Sequence, residues 1–340
     1  MEIIEVLKEG IEKGCSDIHI AVGRPPMFRV AGKLTAREGE SLTPADTKKL
    51  IYAMLTETQT QAFETNMELD CSYTLEGGGR FRVNVYIDRL GISAALRLIP
   101  SKIPTPQDID LPPVAMSFTE MRNGLVLVTG PTGSGKSTTL AAMLNTINTK
   151  RNCHIMTVED PIEFIYNHEM SLVNQREVEA QTKTFAAALK HFLRQDPDVI
   201  LIGEMRDLET ISAAITMAET GHLVFATLHT LDAPQTVDRI IDVFPPYQQQ
   251  QIRTMLSTAL RGVVCQQLIP KKDGRGRVAA REIMLVTPAI SNNIKEGKTH
   301  QIYNAMQTGG ALGMVTMEAS VKVLLAKGLI SQEAAKAALS

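Results

Sequence analysis

The sequence predicts an α/β protein with two domains: a small α+β domain at residues 1–99 and a larger domain at 118–340 whose strands alternate with helices. Three observations lead to this prediction. A chain of 340 residues is long for one domain. Five prolines between residues 99 and 113 prevent a continuous helix and indicate a linker over 100–117. The pattern of strands and helices also changes at this linker.

The composition argues against several classes of protein. The 35 basic and 37 acidic residues give a net charge of -2, so we expect no nucleic-acid partner. The four cysteines are scattered and never form a C-x-x-C pair, which favours reduced thiols in the cytosol over a metal site. No run of about 18 apolar residues occurs, and the first residues do not resemble a signal peptide. We therefore expect a cytoplasmic protein.

Short strands dominate the first part of the chain. Apolar and β-branched runs bounded by turn residues predict five strands and one helix. The strands are expected at 16–20, 26–30, 69–75, 80–87 and 92–99, and the helix at 44–63. Within 80–87, polar and apolar residues alternate, so Arg80 and Arg82 are expected on one face and Phe81 on the other. This arginine-bearing face is called the basic ledge.

The second part has the pattern of a mostly parallel sheet covered by helices. Its four most apolar strands are expected at 125–129, 154–158, 199–202 and 223–227. Their β-branched, uninterrupted apolar character indicates burial on both faces. In an open sheet of this kind ligands bind beyond the carboxyl ends of the strands, so the residues after each strand are the candidates for chemistry.

The first of these strands leads into the segment GPTGSGKST at residues 130–138, which matches a phosphate-binding loop. Its glycines let backbone N–H groups point at phosphate oxygens, Lys136 reaches the β and γ phosphates, and Ser137 offers a hydroxyl to Mg2+. The segment therefore predicts binding of ATP or GTP with Mg2+. The residues expected to contact the nucleotide are Pro131, Thr132, Gly133, Ser134, Gly135, Lys136, Ser137 and Thr138.

Carboxylates follow the second and third strands. Glu159, Asp160 and Glu163 lie within five residues, and Glu163 is the predicted general base that orients a water for attack on the γ phosphate. Glu159 and Asp160 are the alternatives that would organise the water shell of the metal. Glu204 ends the third strand, where P-loop enzymes keep an acid near Mg2+. Glu204 would bind Mg2+ through water or share the role of base with Glu163.

Two histidines bracket the fourth strand. His222 and His229 are seven residues apart, about 20 Å in an extended segment, so they cannot bind one metal ion together. His229 follows the strand and is the candidate sensor of the γ phosphate. His222 precedes the strand, where packing or a subunit contact is the alternative to a catalytic role.

These segments together resemble the secretion ATPase superfamily, and within it the PilT family of type IV pilus retraction ATPases. The resemblance rests on the phosphate loop, an acidic box at 157–164, a metal-binding strand at 199–207 and a histidine box at 218–229. It extends to an N-terminal PAS-like module and to residues 307–310. It implies a RecA-like P-loop ATPase domain preceded by a smaller PAS-like α+β domain.

The resemblance also implies a function and partners. The family forms homohexameric rings in which hydrolysis of Mg-ATP moves each N-terminal module against its neighbour and drives pilin disassembly, the basis of twitching motility. The implied partners are an inner-membrane platform protein, other pilus machinery and a paralogous ATPase. The implied location is cytoplasmic, at the face of the inner membrane. ATP would lie between the phosphate loop of one subunit and the basic ledge of the next, with Arg80, Arg82 and Arg97 as candidate charge-stabilising residues.

Three features of the sequence help to distinguish a retraction ATPase from other members of the superfamily and from related motors. Pilus assembly and type II secretion ATPases, the nearest alternative, usually add a large N-terminal domain and a four-cysteine zinc site, which this sequence lacks. A RecA-like DNA motor is a more distant alternative, because the chain has no Trp and few aromatic residues. The family segment AIRNLIRE reads AISNNIKE at 289–296, with Ser291, Asn293 and Lys295 as the changes. Since that segment is tied to retraction, the changes concern coupling to pilus disassembly and leave the ATPase assignment as it stands, with a divergent paralogue as the alternative.

Overall fold

The structure is a computed structural model that describes residues 1–99 and 102–339. Its contacts divide the chain into two compact units, which are described separately below. The first unit is Met1–Lys102 with Glu163–Ile165, and the second is Ile103–Ile162 with Tyr166–Ser340. The predicted linker over 100–117 includes residues 100 and 101, which lie outside the described residues. The predicted domain boundaries stay a prediction.

The first unit is an α+β sandwich of one antiparallel sheet and three helices. The strands are β1 (Asp17–Ile20), β2 (Met27–Val30), β3 (Lys33–Ala36), β4 (Glu68–Leu75), β5 (Gly79–Asp88) and β6 (Gly91–Ile99), in the order β3-β2-β1-β6-β5-β4. The helices are α1 (Ile3–Glu12), α2 (Pro44–Tyr52) and α3 (Glu57–Asn66). All five predicted strands of this part are confirmed.

The single helix predicted over 44–63 is wrong, because the structure has two helices there. Thr56 begins the second helix with a capping box: its side chain accepts the backbone N–H of Gln59, and the Gln59 side chain accepts the backbone N–H of Thr56. This reciprocal pair satisfies N–H groups that a continuous helix would bond to its own carbonyls.

The predicted alternation in β5 is confirmed. Phe81, Val83 and Val85 are fully buried in a core that includes helix residues, whereas Arg82 is exposed and Arg80 is partly exposed. Because side chains alternate along a strand, the arginines lie on the face opposite to the helices. The basic ledge therefore lies on the face of this sheet that carries no helix of the first unit.

The second unit contains a seven-stranded sheet. Its strands are β7 (Gly124–Thr129), β8 (His154–Glu159), β9 (Leu172–Glu177), β10 (Val199–Ile202), β11 (Leu223–Leu228), β12 (Leu260–Pro270) and β13 (Arg277–Leu285), in the order β13-β12-β7-β11-β10-β8-β9. Neighbours run parallel except β12 and β13, which are antiparallel. The four predicted strands and the mostly parallel sheet are confirmed.

Helices accompany this sheet. They are α4 (Pro113–Met116), α5 (Lys136–Lys150), α6 (Phe185–Phe192), α7 (Leu208–Glu219), α8 (Ala233–Asp242), α9 (Pro246–Ala259), α10 (Pro288–Lys295), α11 (Ile302–Thr308), α12 (Met317–Ala326) and α13 (Gln332–Leu339). Strands β7, β10 and β11 are buried along their whole length, which fixes their carboxyl ends as one rigid edge. None of the helices in the described part of the chain has the length and apolar character needed to cross a membrane.

Candidate functional site

The phosphate loop connects β7 to α5. Gly130 follows β7 with φ of 138°, and a Cβ there would overlap the backbone oxygen of Gln266, so only glycine fits. Gly135, with φ of 87°, is the residue before α5. The helix therefore begins at Lys136, with its first N–H groups directed into the loop, an arrangement that binds anions.

The side chains of the loop also suit a phosphate. The Lys136 ammonium lies over the loop, where its Nζ donates to the carbonyls of Gly130 at 2.8 Å and Pro131 at 3.1 Å. Ser134 is 2% exposed, and its hydroxyl has no hydrogen-bond partner among the described residues. Ser137 is partly exposed in the first turn of α5. The other residues of the loop are exposed (Pro131, Thr132 and Gly133) or partly exposed (Gly135 and Thr138).

Glu204 and His229 meet at the carboxyl ends of two adjacent strands. Glu204 follows β10, His229 follows β11, and the Glu204 Oε2 lies 3.1 Å from the His229 Nε2. Arg206 forms an ion pair with the other oxygen of Glu204. Burial, followed by the charges of Lys136 and Arg206, lowers the pKa of His229. The imidazole is therefore held in its neutral form near the loop lysine.

Arg206 is not among the site residues predicted from the sequence. The signal was present, because Arg206 lies two positions after Glu204 in the same short segment. Its side chain is 78% exposed, so the ion pair adds little to stability. With this pair, both oxygens of Glu204 have a partner, His229 on one and Arg206 on the other.

Glu159 ends β8 and is 8% exposed. Its Oε1 accepts hydrogen bonds from the Thr157 hydroxyl at 2.6 Å and from the Gln175 amide at 3.3 Å. Burial, together with the nearby Glu159 carboxylate, raises the pKa of Tyr166 well above its usual value. Glu159 is thus bonded to the side chains of β8 and β9, and its predicted role at the metal stays a prediction.

The described residues contain no group of three or more His, Cys, Asp or Glu side chains placed to hold a metal ion. This finding is compatible with Mg2+, which usually takes one or two protein oxygens together with substrate phosphates and water. The Ser137 hydroxyl and the Glu204 carboxylate are hard oxygen ligands of that kind.

The structure does not bring every predicted residue into this arrangement. Glu163 is exposed in the loop after β8, and its contacts group it with the first unit. His222 directly precedes β11, where its Nδ1 lies 3.0 Å from the carbonyl of Met217. His222 and His229 therefore lie at opposite ends of β11, as the sequence predicts. The catalytic roles of Glu163 and His222 stay predictions.

The three arginines predicted to stabilise charge on the nucleotide differ in their partners. Arg97 lies opposite both Arg82 and Asp17 in the sheet, and its Nε donates to Asp17 at 2.9 Å. Arg80 donates to the Ser72 hydroxyl at 2.6 Å. The Arg82 backbone pairs with β4 and β6, but its side chain makes no hydrogen bond or ion pair with another described residue. Arg82 is consequently the member of the basic ledge whose guanidinium is least committed to its own sheet.

Comparisons with known proteins identify the family of this chain. The family described as "Type II/IV secretion system protein" matches residues 2–321. The chain is 50% identical over 336 residues to the type IV pilus retraction ATPase PilT of Pseudomonas aeruginosa, covering 99% of this chain and 97% of the relative. It is 47% identical over 311 residues to a twitching motility protein of Neisseria gonorrhoeae, covering 92% and 83%.

A solved structure shows the same architecture. The crystal structure of the pilus retraction motor PilT with bound ADP superposes with a TM-score of 0.94 at 47% sequence identity. The match covers 99% of this chain and 97% of that one. The phosphate loop described above therefore belongs to a fold in which a nucleotide has been observed.

Proposed function

We infer that this chain, which belongs to the type II/IV secretion system protein family, is an ATPase that powers the retraction of type IV pili. The observation that carries the inference is the phosphate loop with Glu204 and His229 at the neighbouring strand ends, in a fold shared over its length with a retraction motor. The predicted fold class and ATPase activity are confirmed by that likeness.

The residues of the second unit supply most of the chemistry that hydrolysis needs. The N–H groups at the start of α5 and the Lys136 ammonium hold the β and γ phosphates. Ser137 and Glu204 would hold Mg2+, which neutralises charge on those phosphates when bound. A neutral imidazole has a single N–H, which the His229 ring donates from Nε2 to Glu204. As sensor of the γ phosphate, His229 would transfer that N–H from Glu204 to a phosphate oxygen when ATP binds.

The general base is proposed to be Glu163. Its carboxylate is exposed and so is available to accept a proton from water. Glu204 is the alternative, but its two oxygens already contact His229 and Arg206. This engagement favours Glu163 for the proton transfer, and Glu204 is proposed to reach Mg2+ through water.

We further propose that six copies form a ring and that Arg82 acts on the nucleotide of a neighbouring copy. The support is the lack of a partner for Arg82 within its own described chain, together with the planar fork that guanidinium offers to phosphate oxygens. Mixing tests this proposal. Lys136→Ala and Arg82→Ala proteins, each nearly inactive alone, should regain part of the ATPase activity when mixed. Arg97→Ala is the matched control. Because Arg97 is paired with Asp17, this variant should lose less ATPase activity than Arg82→Ala.

The protein is proposed to act at the cytoplasmic face of the inner membrane, on a platform protein of the pilus machinery, with a paralogous ATPase as a second motor. The test is a Lys136→Ala substitution in the native host, scored by counting surface pili and by twitching. Accumulated, non-retracting pili are expected, whereas bald cells would support pilus assembly instead. Lys150→Ala, an exposed lysine at the other end of α5, is the control.

A further inference from the structure

Gln266 on β12 is a buried amide that contacts the phosphate loop at two points. It is 1% exposed. Its Nε2 donates to the carbonyl of Ser134 at 2.7 Å, and its Oε1 accepts from the hydroxyl of Thr139 at 2.8 Å. One side chain therefore connects the loop to the first turns of α5.

The position of Gln266 follows from strand pairing. Strand β12 runs parallel to β7, and Cys265 lies opposite Thr129, the last residue before the loop. Gln266 consequently lies beside Gly130, whose missing Cβ would otherwise meet the Gln266 backbone oxygen. The close approach of the two backbones brings the amide within reach of Ser134.

The bond to Ser134 has a consequence for the next amide. In a planar trans peptide the C=O of one residue and the N–H of the next point in opposite directions. Because the Ser134 carbonyl points at Gln266, the Gly135 N–H points away from β12 and into the loop. That N–H is one of the backbone donors that bind phosphate in loops of this kind.

We propose that Gln266 is a positioning residue of the phosphate loop, which orients the peptide between Ser134 and Gly135 for phosphate binding. The proposal rests on the proposed function, since it concerns the same nucleotide site. Only a side chain with both a donor and an acceptor can hold Ser134 and Thr139 together. Methionine has neither group in useful strength, and an ionised glutamate has only acceptors.

The test compares nucleotide affinity in the full-length protein. The probe is ADP with Mg2+, measured by titration calorimetry. For Gln266→Met we expect the Kd to rise about 10-fold, which corresponds to about 1.4 kcal/mol. Gln267→Met, the same change at the adjacent position, is the control, because neighbouring side chains on a strand face opposite sides. Its Kd should match the wild type.

A pH profile separates positioning from packing. In Gln266→Glu a buried carboxyl should have a raised pKa, and when protonated it offers one donor and one acceptor like the amide. The ratio of the Kd of this variant to the wild-type Kd should therefore fall as the pH is lowered from 8 to 6. The same ratio for Gln266→Met should not change with pH.

The results that would overturn the proposal are specific. One is a wild-type Kd in Gln266→Met, and another is a lower kcat with an unchanged Kd for ADP. If both Gln266 variants fail to fold, Thr139→Val decides: it frees one end of the amide, and a Kd about 3-fold higher supports the proposal. An unchanged Kd in that variant contradicts it. A wild-type protein that does not bind ADP would contradict the proposed function as well.

Discussion

Glu282 on β13 offers a sharp test of how the fold supports the site. It is 1% exposed, and each of its carboxylate oxygens accepts a backbone N–H at the start of a helix. Oε1 accepts from Ala233 of α8 at 2.8 Å, and Oε2 accepts from Met317 of α12 at 3.3 Å. Since α8 begins four residues after His229, Glu282 also anchors the segment that carries this histidine.

Glu282→Met should destabilise the protein by an amount that the geometry sets. Each of the two N–H groups left without an acceptor costs about 1–3 kcal/mol, and removal of a buried charge offsets part of that loss. We expect the free energy of unfolding to fall by about 2–4 kcal/mol. At about 2–4 °C per kcal/mol, Tm should fall by at least about 4 °C.

The pH dependence of stability provides an independent test of the role of Glu282. Burial raises the pKa of Glu282 above its ordinary value of 4.5, so the folded state binds this proton more tightly than the unfolded chain does. Wild-type stability relative to Glu282→Gln should therefore be greatest below pH 4.5 and decline as the pH rises through the folded pKa. The assay is thermal unfolding followed by circular dichroism between pH 4 and pH 8.

The control for this test is Glu318→Gln, which also removes a carboxylate near the start of α12. Glu318 is exposed and pairs with Lys322, so its loss should leave Tm nearly unchanged. A Glu282→Met protein with the Tm of the wild type would refute the argument. So would a stability difference between wild type and Glu282→Gln that stays constant with pH.

Three further predictions concern the site and its surroundings. Glu163→Gln should bind ATP but lose most turnover in a phosphate-release assay, because an amide cannot accept the proton; unchanged turnover would move the role to Glu204. His229→Ala should lower kcat more than His222→Ala, and the reverse order would show that the nucleotide lies at the other end of β11. Arg281→Met should lower Tm by several degrees, because the buried guanidinium donates to the carbonyls of residues 109 and 110; an unchanged Tm would contradict this.

Much of the fold could be predicted because buried strands appear in the sequence as runs of apolar residues. The elements that were not predicted were missed for different reasons. All four residues of β3 are exposed, so this edge strand carries no alternation between buried and exposed positions. Helix α1 did carry a signal, since its buried residues Ile3, Val6, Leu7 and Gly10 follow helical spacing. The helix break at Thr56 depended on a capping box that the apolar pattern alone does not reveal.

The functional groups at the strand ends could be predicted because each lies next to its strand in sequence. The supporting residues could not. Gln266 is 132 residues from Ser134, and Glu282 is 49 residues from Ala233, so no local motif joins either pair. Pairing of β12 with β7 creates the first contact, and a one-residue slip of β12 would turn Gln266 to the other face of the sheet. The phosphate loop therefore depends on the register of a strand that carries no nucleotide-binding motif of its own.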